Sequence, residues 1–130
     1  MRCDSEDDSG DATLGSVAHY DVDELLERIC QYMDEQQPYL QSRLRQSDVA
    51  ATLGVSTTSI SECLTTCRGI TFAQFIAEYR VRHAQRLLSN QPDTKLSAVY
   101  AEAGFTSEST FFRTFKAITG LSPKEWLAQQ

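Results

Sequence analysis

The sequence predicts an all-α protein that contains one helical unit twice. No segment shows the alternating apolar pattern of a strand, whereas apolar residues recur at helical spacing from about residue 21 onward. Several of these helical stretches end at a glycine, the residue that most often terminates a helix. Finally, residues 48–55 align with residues 98–105 at an offset of 50. Internal repetition of this kind indicates a duplicated structural unit.

Charge is distributed unevenly along the 130 residues, whose formal net charge is −6. Residues 1–40 carry 11 acidic and 2 basic side chains, while residues 41–130 carry 7 acidic and 10 basic ones. Residues 1–18 combine Asp, Glu, Ser and Gly with little to bury, which predicts an acidic disordered leader. The remaining chain is a mildly basic body, so the acidic total does not exclude a nucleic-acid partner.

The composition also bounds the location of the protein. No apolar run approaches the roughly 18 residues that a membrane span requires, and the N-terminus lacks the apolar core of a secretory signal. The four cysteines show neither CxxC pairs nor the density of a disulfide scaffold. We therefore expect a cytoplasmic protein that makes no membrane contact through this segment.

Residues 19–38 predict an amphipathic helix or linker ahead of the repeated units. Asp21 and Glu24 form a D-x-x-E helix start, and Pro38 stops the helix. Five apolar residues share one face at helical spacing: Val22, Leu25, Leu26, Ile29 and Met33.

The first repeated unit has the outline of a helix-turn-helix. In "SDVAATLG", Ser47 is the expected N-cap and Gly54 the terminus, and Ser56 then caps a second helix. The apolar residues of that helix are Ile60, Cys63, Leu64 and Cys67. Its other face is polar throughout, with Thr57, Thr58, Ser61, Glu62 and Thr65. Two short helices around a tight glycine turn are typical of this motif.

The second unit repeats this outline. Gly54 pairs with Gly104 at an offset of 50, and after the turn the offset becomes 51, as one inserted residue would produce. Ile60, Leu64 and Cys67 then pair with Phe111, Phe115 and Ile118, which we expect to hold the second helix onto its subdomain. "GITFAQF" similarly falls on "GLSPKEW", where Pro123 occupies the favoured first position of a helix.

A long connecting helix is predicted between the units, from Phe72 to Ser89. Its apolar stripe comprises Phe72, Phe75, Ile76, Tyr79, His83 and Leu87. We expect His83 to be buried and hydrogen-bonded. At 1.5 Å per residue the helix is about 27 Å long, against about 34 Å between half-sites on one face of DNA. A rigid connector of this length can place two helices in adjacent major-groove segments.

The run "DVAATLGVSTTSISECLTTCRGITFAQFIAEYRVRHAQRLL", followed by "AEAGFTSESTFFRTFKAITGLSPKEW", resembles the DNA-binding domain of AraC/XylS-type transcription regulators. The resemblance covers roughly residues 40–128, and it places the domain at residues 39–130. It implies two helix-turn-helix subdomains that bind double-stranded DNA in a bacterial activator or repressor, with RNA polymerase as a further partner. Most members of the family carry a separate sensing domain. The chain is therefore either a stand-alone regulator or lacks an upstream sensor.

The resemblance also assigns residues to the DNA. The base-facing positions are Thr57, Thr58, Ser61, Glu62, Glu108, Ser109, Thr110 and Arg113, and the phosphate-facing ones are Ser56, Ser107 and Lys116. Arg113 is the strongest candidate, because a guanidinium can donate twice to guanine. The alternative is a surface arginine paired with Glu108 or Asp93.

Two residues of the predicted recognition helices, Glu62 and Phe112, depart from the family pattern. Glu62 stands where basic or amide residues are common. It can accept from cytosine N4 but is repelled by phosphates, so we expect it to contribute discrimination rather than affinity. Phe112 replaces a small or polar residue, and we expect it to pack against a neighbouring helix, with a thymine methyl as the alternative contact.

The remaining polar residues do not indicate catalysis. Cys63 and Cys67 lie one turn apart without further ligands nearby, which predicts core residues rather than a metal site. Arg80 and Arg82 are alternative DNA contacts, although Glu78 can pair with Arg82. No nucleophile–base pairing, phosphate loop or carboxylate constellation suggests catalysis, and we expect no cofactor. The rival to DNA binding is an AraC-like protein-interaction module that has lost it.

Overall fold

The computed structural model describes residues 21–130, and all regular structure in that part of the chain is helical. A single 3-10 turn, Pro38–Leu40, follows the first helix. The helices are α1 (Val22–Gln36), α2 (Gln46–Leu53), α3 (Thr57–Arg68), α4 (Phe72–Asn90), α5 (Leu96–Glu102), α6 (Glu108–Thr119) and α7 (Pro123–Ala128). The all-α prediction is confirmed. The leader predicted at residues 1–18 lies outside the described residues.

The first compact unit consists of residues 21–36 together with Arg45–Phe72. Its buried apolar residues are Leu25, Ile29, Met33, Val49, Ala50, Ile60, Cys63 and Leu64. Hydrogen bonds fasten α1 to the later helices; among them, Arg28 Nη2 donates to the Leu53 carbonyl at 2.7 Å, and the Cys63 thiol donates to the Val22 carbonyl at 3.2 Å. The predicted amphipathic helix is therefore an integral part of this unit.

The second unit consists of Gln37–Leu44 and Ala73–Gln130. Its core is formed by Val81, Ala84, Leu88, Val99, Ala103, Phe105, Phe111 and Phe115. Aromatic rings dominate the centre: Phe111 lies 5.2 Å from Phe105 and 5.6 Å from Phe115 between ring centroids, within the range of favourable ring pairs. Phe112 is half-buried and packs against the same cluster, as predicted.

The duplication predicted from the sequence is present in the helix boundaries. α2 and α5 begin at Gln46 and Leu96, 50 residues apart, whereas α3 and α6 begin at Thr57 and Glu108, 51 apart. Helix α7 likewise begins at Pro123, 51 residues after Phe72 at the start of α4. The single inserted residue therefore lies in the turn between the two helices of the second unit.

Three details of the helices differ from the sequence prediction. α2 begins at Gln46 rather than after Ser47, because Asp48 accepts a hydrogen bond from the backbone N–H of Arg45 at 2.9 Å. Ile118 is 42% exposed, so it does not anchor α6. In α4 the apolar stripe runs through Leu88, which is fully buried, rather than Leu87, which is half-buried.

Residues 37–44 are fastened to the second unit by an arginine. Arg80 donates from Nε to the Tyr39 carbonyl at 2.7 Å and from Nη2 to the Gln41 carbonyl at 2.9 Å. Gly104, with φ of +96°, lies against this contact: a Cβ at position 104 would be 2.5 Å from the Tyr39 carbonyl oxygen. The close approach explains why this turn needs glycine.

Candidate nucleic-acid interface

The exposed face of α3 begins at a serine cap. The hydroxyl of Ser56 accepts a hydrogen bond from the backbone N–H of Ser59 at 3.0 Å, as predicted for an N-cap. The four predicted base-facing side chains of this helix are all exposed: Thr57, Thr58, Ser61 and Glu62. Ser56 is exposed, and the cap uses only a lone pair of its hydroxyl oxygen, so the phosphate contact expected there stays a prediction.

Gln46 joins this face from the preceding helix and was not among the predicted residues. Its Nε2 lies 2.6 Å from the Thr57 carbonyl oxygen and 2.6 Å from the Ser61 hydroxyl oxygen. The first residue of α2 thereby braces the first turn of α3. Neither periodicity nor motif spacing reveals such a contact, because it joins positions 11 and 15 residues apart.

The matching face of α6 is organised by Ser107. Its hydroxyl accepts from the Thr110 backbone N–H at 3.2 Å and donates to Thr110 Oγ1 at 3.0 Å. Thr110 is consequently half-buried, whereas Glu108, Ser109 and Arg113 are exposed. Three of the four predicted base-facing side chains of α6 are therefore exposed to solvent, and Thr110 is less available than the other three.

Helix α6 carries two exposed cationic side chains, Arg113 and Lys116. Arg113 is exposed, and within residues 21–130 it forms no ion pair with Glu108 or Asp93, the alternative considered from the sequence. Lys116 is exposed one turn from the helix end. Hydrogen bonds from Ser122 hold the pKa of Glu125 below its ordinary value, and the positive charge of Lys116 lowers that pKa further. Both cations lie in solvent, where an anion can reach them.

The two arginines of α4 have different environments. Arg80 is held by the Tyr39 and Gln41 carbonyls, so the idea that it contacts DNA is replaced by a structural role. Burial lowers the pKa of this arginine. Arg82 is exposed, with its guanidinium carbon 4.4 Å from the Tyr79 ring centroid. That geometry is typical of a cation–π contact.

His83 is largely buried, as predicted, but only one ring nitrogen has a hydrogen-bond partner. Nδ1 lies 3.3 Å from Arg86 Nη2, whereas the buried Nε2 has no hydrogen bond within the described residues and lies 3.9 Å from Glu102 Oε2. Burial lowers the pKa of His83 below its ordinary value. Arg86 lowers it further, and Glu102 opposes both effects.

Cys63 and Cys67 pack as part of the first unit. Both the Cys63 and Cys67 thiols face the Val22 carbonyl oxygen, at 3.2 and 3.8 Å. No group of three metal-ligating side chains occurs among residues 21–130. None of the helices described is long and apolar enough to cross a membrane.

Comparison with protein families identifies one matching model. Residues 49–129 match a family described as a helix-turn-helix domain. This match covers both repeated units and leaves out α1.

Curated relatives share this part of the chain. An uncharacterized HTH-type transcriptional regulator of Staphylococcus aureus (strain MSSA476) is 27% identical over 104 residues, covering 80% of this chain and 13% of that protein. YisR, an uncharacterized HTH-type transcriptional regulator of Bacillus subtilis, is 30% identical over 92 residues, covering 68% of this chain and 32% of its own length. The chain therefore spans about an eighth to a third of the length of these relatives.

Solved structures share the fold. The C-terminal domain of AraT, a response regulator from Geobacillus stearothermophilus, superposes with a TM-score of 0.71 at 25% identity, covering 82% of this chain and 85% of that one. The C-terminal domain of the two-component response regulator yesN from Fusobacterium nucleatum gives a TM-score of 0.68 at 22% identity. It covers 80% of this chain and 98% of that one.

Proposed function

Because the chain belongs to the AraC-type helix-turn-helix family of transcription regulators, we propose that it binds DNA sequence-specifically through two adjacent major-groove segments. The observation that supports this most directly is the exact register of the duplication. α3 and α6 each follow a serine cap at corresponding positions and each present polar side chains to solvent. Two equivalent recognition helices in one chain are suited to two successive half-sites.

The two helices contribute different chemistry in this proposal. α6 supplies direct base readout through Arg113, whose exposed guanidinium can donate to guanine O6 and N7. Lys116 supplies a phosphate contact, which adds affinity without sequence information. α3 offers hydroxyls and the Glu62 carboxylate, so we assign it discrimination rather than affinity.

Further partners follow from the family and its relatives. We infer that RNA polymerase is contacted at the promoter, whether the outcome is activation or repression. Two structural neighbours are C-terminal domains of response regulators. This supports the proposal that the present domain operates together with a sensing portion.

The Arg113 assignment is tested with the sequence selected by this chain from a random DNA pool. Arg113→Ala should weaken binding to the selected duplex by about 1–3 kcal/mol and relax preference at one base pair. Thermal stability should change little, since the side chain is exposed. Lys124→Ala is the matched control, because it removes an exposed cation from α7 instead. Unchanged affinity in Arg113→Ala would refute the base contact.

The salt dependence of duplex binding distinguishes this proposal from the rival, a protein-interaction module that does not bind DNA. Binding that depends on phosphate contacts weakens steeply as salt rises, with a slope of about 0.9 per neutralised phosphate on logarithmic axes. Lys116→Ala should reduce that slope by about 1 across all duplexes. No salt-dependent binding to any duplex would favour the rival.

A further inference from the structure

We propose that Gln46 fixes the direction of the Ser61 hydroxyl proton, so that the first unit reads a purine against a pyrimidine at one base pair without distinguishing adenine from guanine. This inference rests on the proposed DNA-binding function and names the chemistry of one position on α3. Its basis is the pair of 2.6 Å contacts made by Gln46 Nε2.

The orientation of the Gln46 amide follows from its partners. The Thr57 carbonyl can only accept, so the amide atom 2.6 Å away must be the nitrogen. That NH2 group has two protons, and the second contact lies at the Ser61 hydroxyl oxygen. Ser61 Oγ therefore accepts from Gln46 and keeps its own proton for another acceptor.

The Gln46 contacts also hinder the Ser61 hydroxyl from donating its proton to a carbonyl within α3. A serine within a helix commonly donates to the carbonyl four residues earlier, which for Ser61 is Thr57. Gln46 already donates to the Thr57 carbonyl, and the Ser61 hydroxyl makes no other hydrogen bond within residues 21–130. Since Ser61 is exposed, its hydroxyl is available as a donor toward the surroundings of α3.

A lone hydroxyl donor in the major groove has a limited reading capacity. Every base pair presents one purine N7 acceptor there, and adenine and guanine share it. The location of N7 reports which strand carries the purine, but not which purine it is. A donor placed at N7 therefore selects purine over pyrimidine on one strand, whereas a donor to guanine O6 or thymine O4 would select that single base.

The second unit has no counterpart of this device. At the equivalent repeat positions, Leu96 replaces Gln46 and Phe112 replaces Ser61. Both replacements are half-buried and pack against the buried cluster of the second unit. The pair of positions is thus polar in the first unit, as Gln46 and Ser61, and apolar in the second, as Leu96 and Phe112. The purine preference should therefore occur only in the half-site bound by α3.

The experiment uses the full chain and duplexes selected from a random pool. We expect one position of the selected sequence to accept A and G equally. Replacing the purine there by its 7-deaza analogue should weaken wild-type binding about three- to tenfold, the loss expected for one hydrogen bond. Ser61→Ala should bind the normal and 7-deaza duplexes equally.

Gln46→Met tests the brace itself. Without the amide, Ser61 can turn its proton onto Thr57, so the purine preference and the 7-deaza effect should both fall toward those of Ser61→Ala. Gln36→Met is the control, because it changes an exposed glutamine at the end of α1 in the same unit and should bind like wild type.

The outcomes separate this inference from the function on which it rests. Absence of any sequence preference in the wild type would contradict both. Sequence preference that Arg113→Ala relaxes, combined with no 7-deaza effect at the position that accepts A and G equally, would overturn the Ser61 reading alone. A 7-deaza effect at that position that persists in Ser61→Ala or Gln46→Met would likewise overturn it. The 7-deaza measurement on wild type needs no variant to fold.

Discussion

Arg80 donates from Nε to the backbone carbonyl oxygen of Tyr39 at 2.7 Å. This contact draws residues 37–44 onto α4, and the space beneath it exists because position 104 lacks a side chain. The Tyr39 ring lies 5.2 Å from the Tyr79 ring between centroids, which adds an aromatic contact to the same attachment. A charged side chain in the middle of α4 is therefore part of the structural framework.

Gly104→Ala should be strongly destabilising. The new Cβ would lie 2.5 Å from the Tyr39 carbonyl oxygen and 2.9 Å from Arg80 Nε, in a backbone conformation with φ of +96°. We expect a loss of about 2–5 kcal/mol in unfolding free energy, combining overpacking with the left-handed conformation. Denaturant unfolding measures it. Gly120→Ala is the control: its φ is +84° but its Cβ would meet open space, so about 1–2 kcal/mol is expected. Equal losses would contradict the steric argument.

Leu88→Ala should destabilise the second unit. Leu88 is fully buried in the cluster with Phe111 and Phe115, so truncation should cost about 2–5 kcal/mol. Leu87 precedes it on α4 but is only half-buried, and Leu87→Ala should cost about 1 kcal/mol. Comparing the two midpoints of chemical denaturation checks the assignment. A larger effect at Leu87 would restore the apolar stripe inferred from the sequence.

Much of this fold could be read from the sequence because the signals are local. Serine caps at Ser56, Ser107 and Ser122 satisfy backbone N–H groups within the same turn, so they appear as short patterns. The 50- and 51-residue offsets are likewise visible, because each copy repeats its own glycine and cap. Because these local signals occur in both copies, they predicted the helices and the correspondence between the helices of the two repeated units.

The errors occur where distant segments meet. Nothing near Arg80 in the sequence indicates that the backbone carbonyls of Tyr39 and Gln41 will accept its hydrogen bonds. Ile118 aligns with Cys67 and fits the helical spacing, yet the last turn of α6 lies partly in solvent. The role of Gln46 is hidden in the sequence for the same reason, because its partners Thr57 and Ser61 lie across the turn. Helical periodicity identifies the apolar and polar faces of a helix, but tertiary contacts determine which side chains are buried or hydrogen-bonded.

Glu62→Gln should tighten binding to every duplex. Glu62 is exposed on the face of α3 that we assign to DNA, where its carboxylate is repelled by phosphates. A charge pair about 4 Å apart in water is worth about 1 kcal/mol, so a gain of about fivefold at low salt is expected. If the carboxylate also accepts from cytosine N4, preference for that base should weaken in the variant.

Titration of duplex binding at two salt concentrations measures both effects. Glu27→Gln is the matched control, because it removes one negative charge from the exposed side of α1. A general field effect would make the two variants equal. Weaker binding by Glu62→Gln at every sequence would show that the carboxylate is not repelled at the interface.

His83 should make stability depend on pH in the weakly acidic range. Burial lowers its pKa in the folded protein below the ordinary value of 6.5, so the unfolded chain binds the proton more readily. The contribution of His83 is fully present above about pH 6.5 and is lost as pH falls through the lowered folded-state pKa. Wild-type unfolding free energy should therefore fall with acidification in this window.

Variants isolate the His83 contribution from that of other groups. His83→Gln should lose less stability between pH 7 and pH 5 than wild type does, when both are followed by denaturant unfolding. Glu102→Gln should lose more, because removing the carboxylate 3.9 Å from Nε2 lowers the folded-state pKa of His83 further. His19→Gln supplies the background, as His19 is the other histidine of the sequence. If wild type and His83→Gln change in parallel with pH, the imidazole is not the titrating group, and the acid sensitivity belongs to the carboxylates instead.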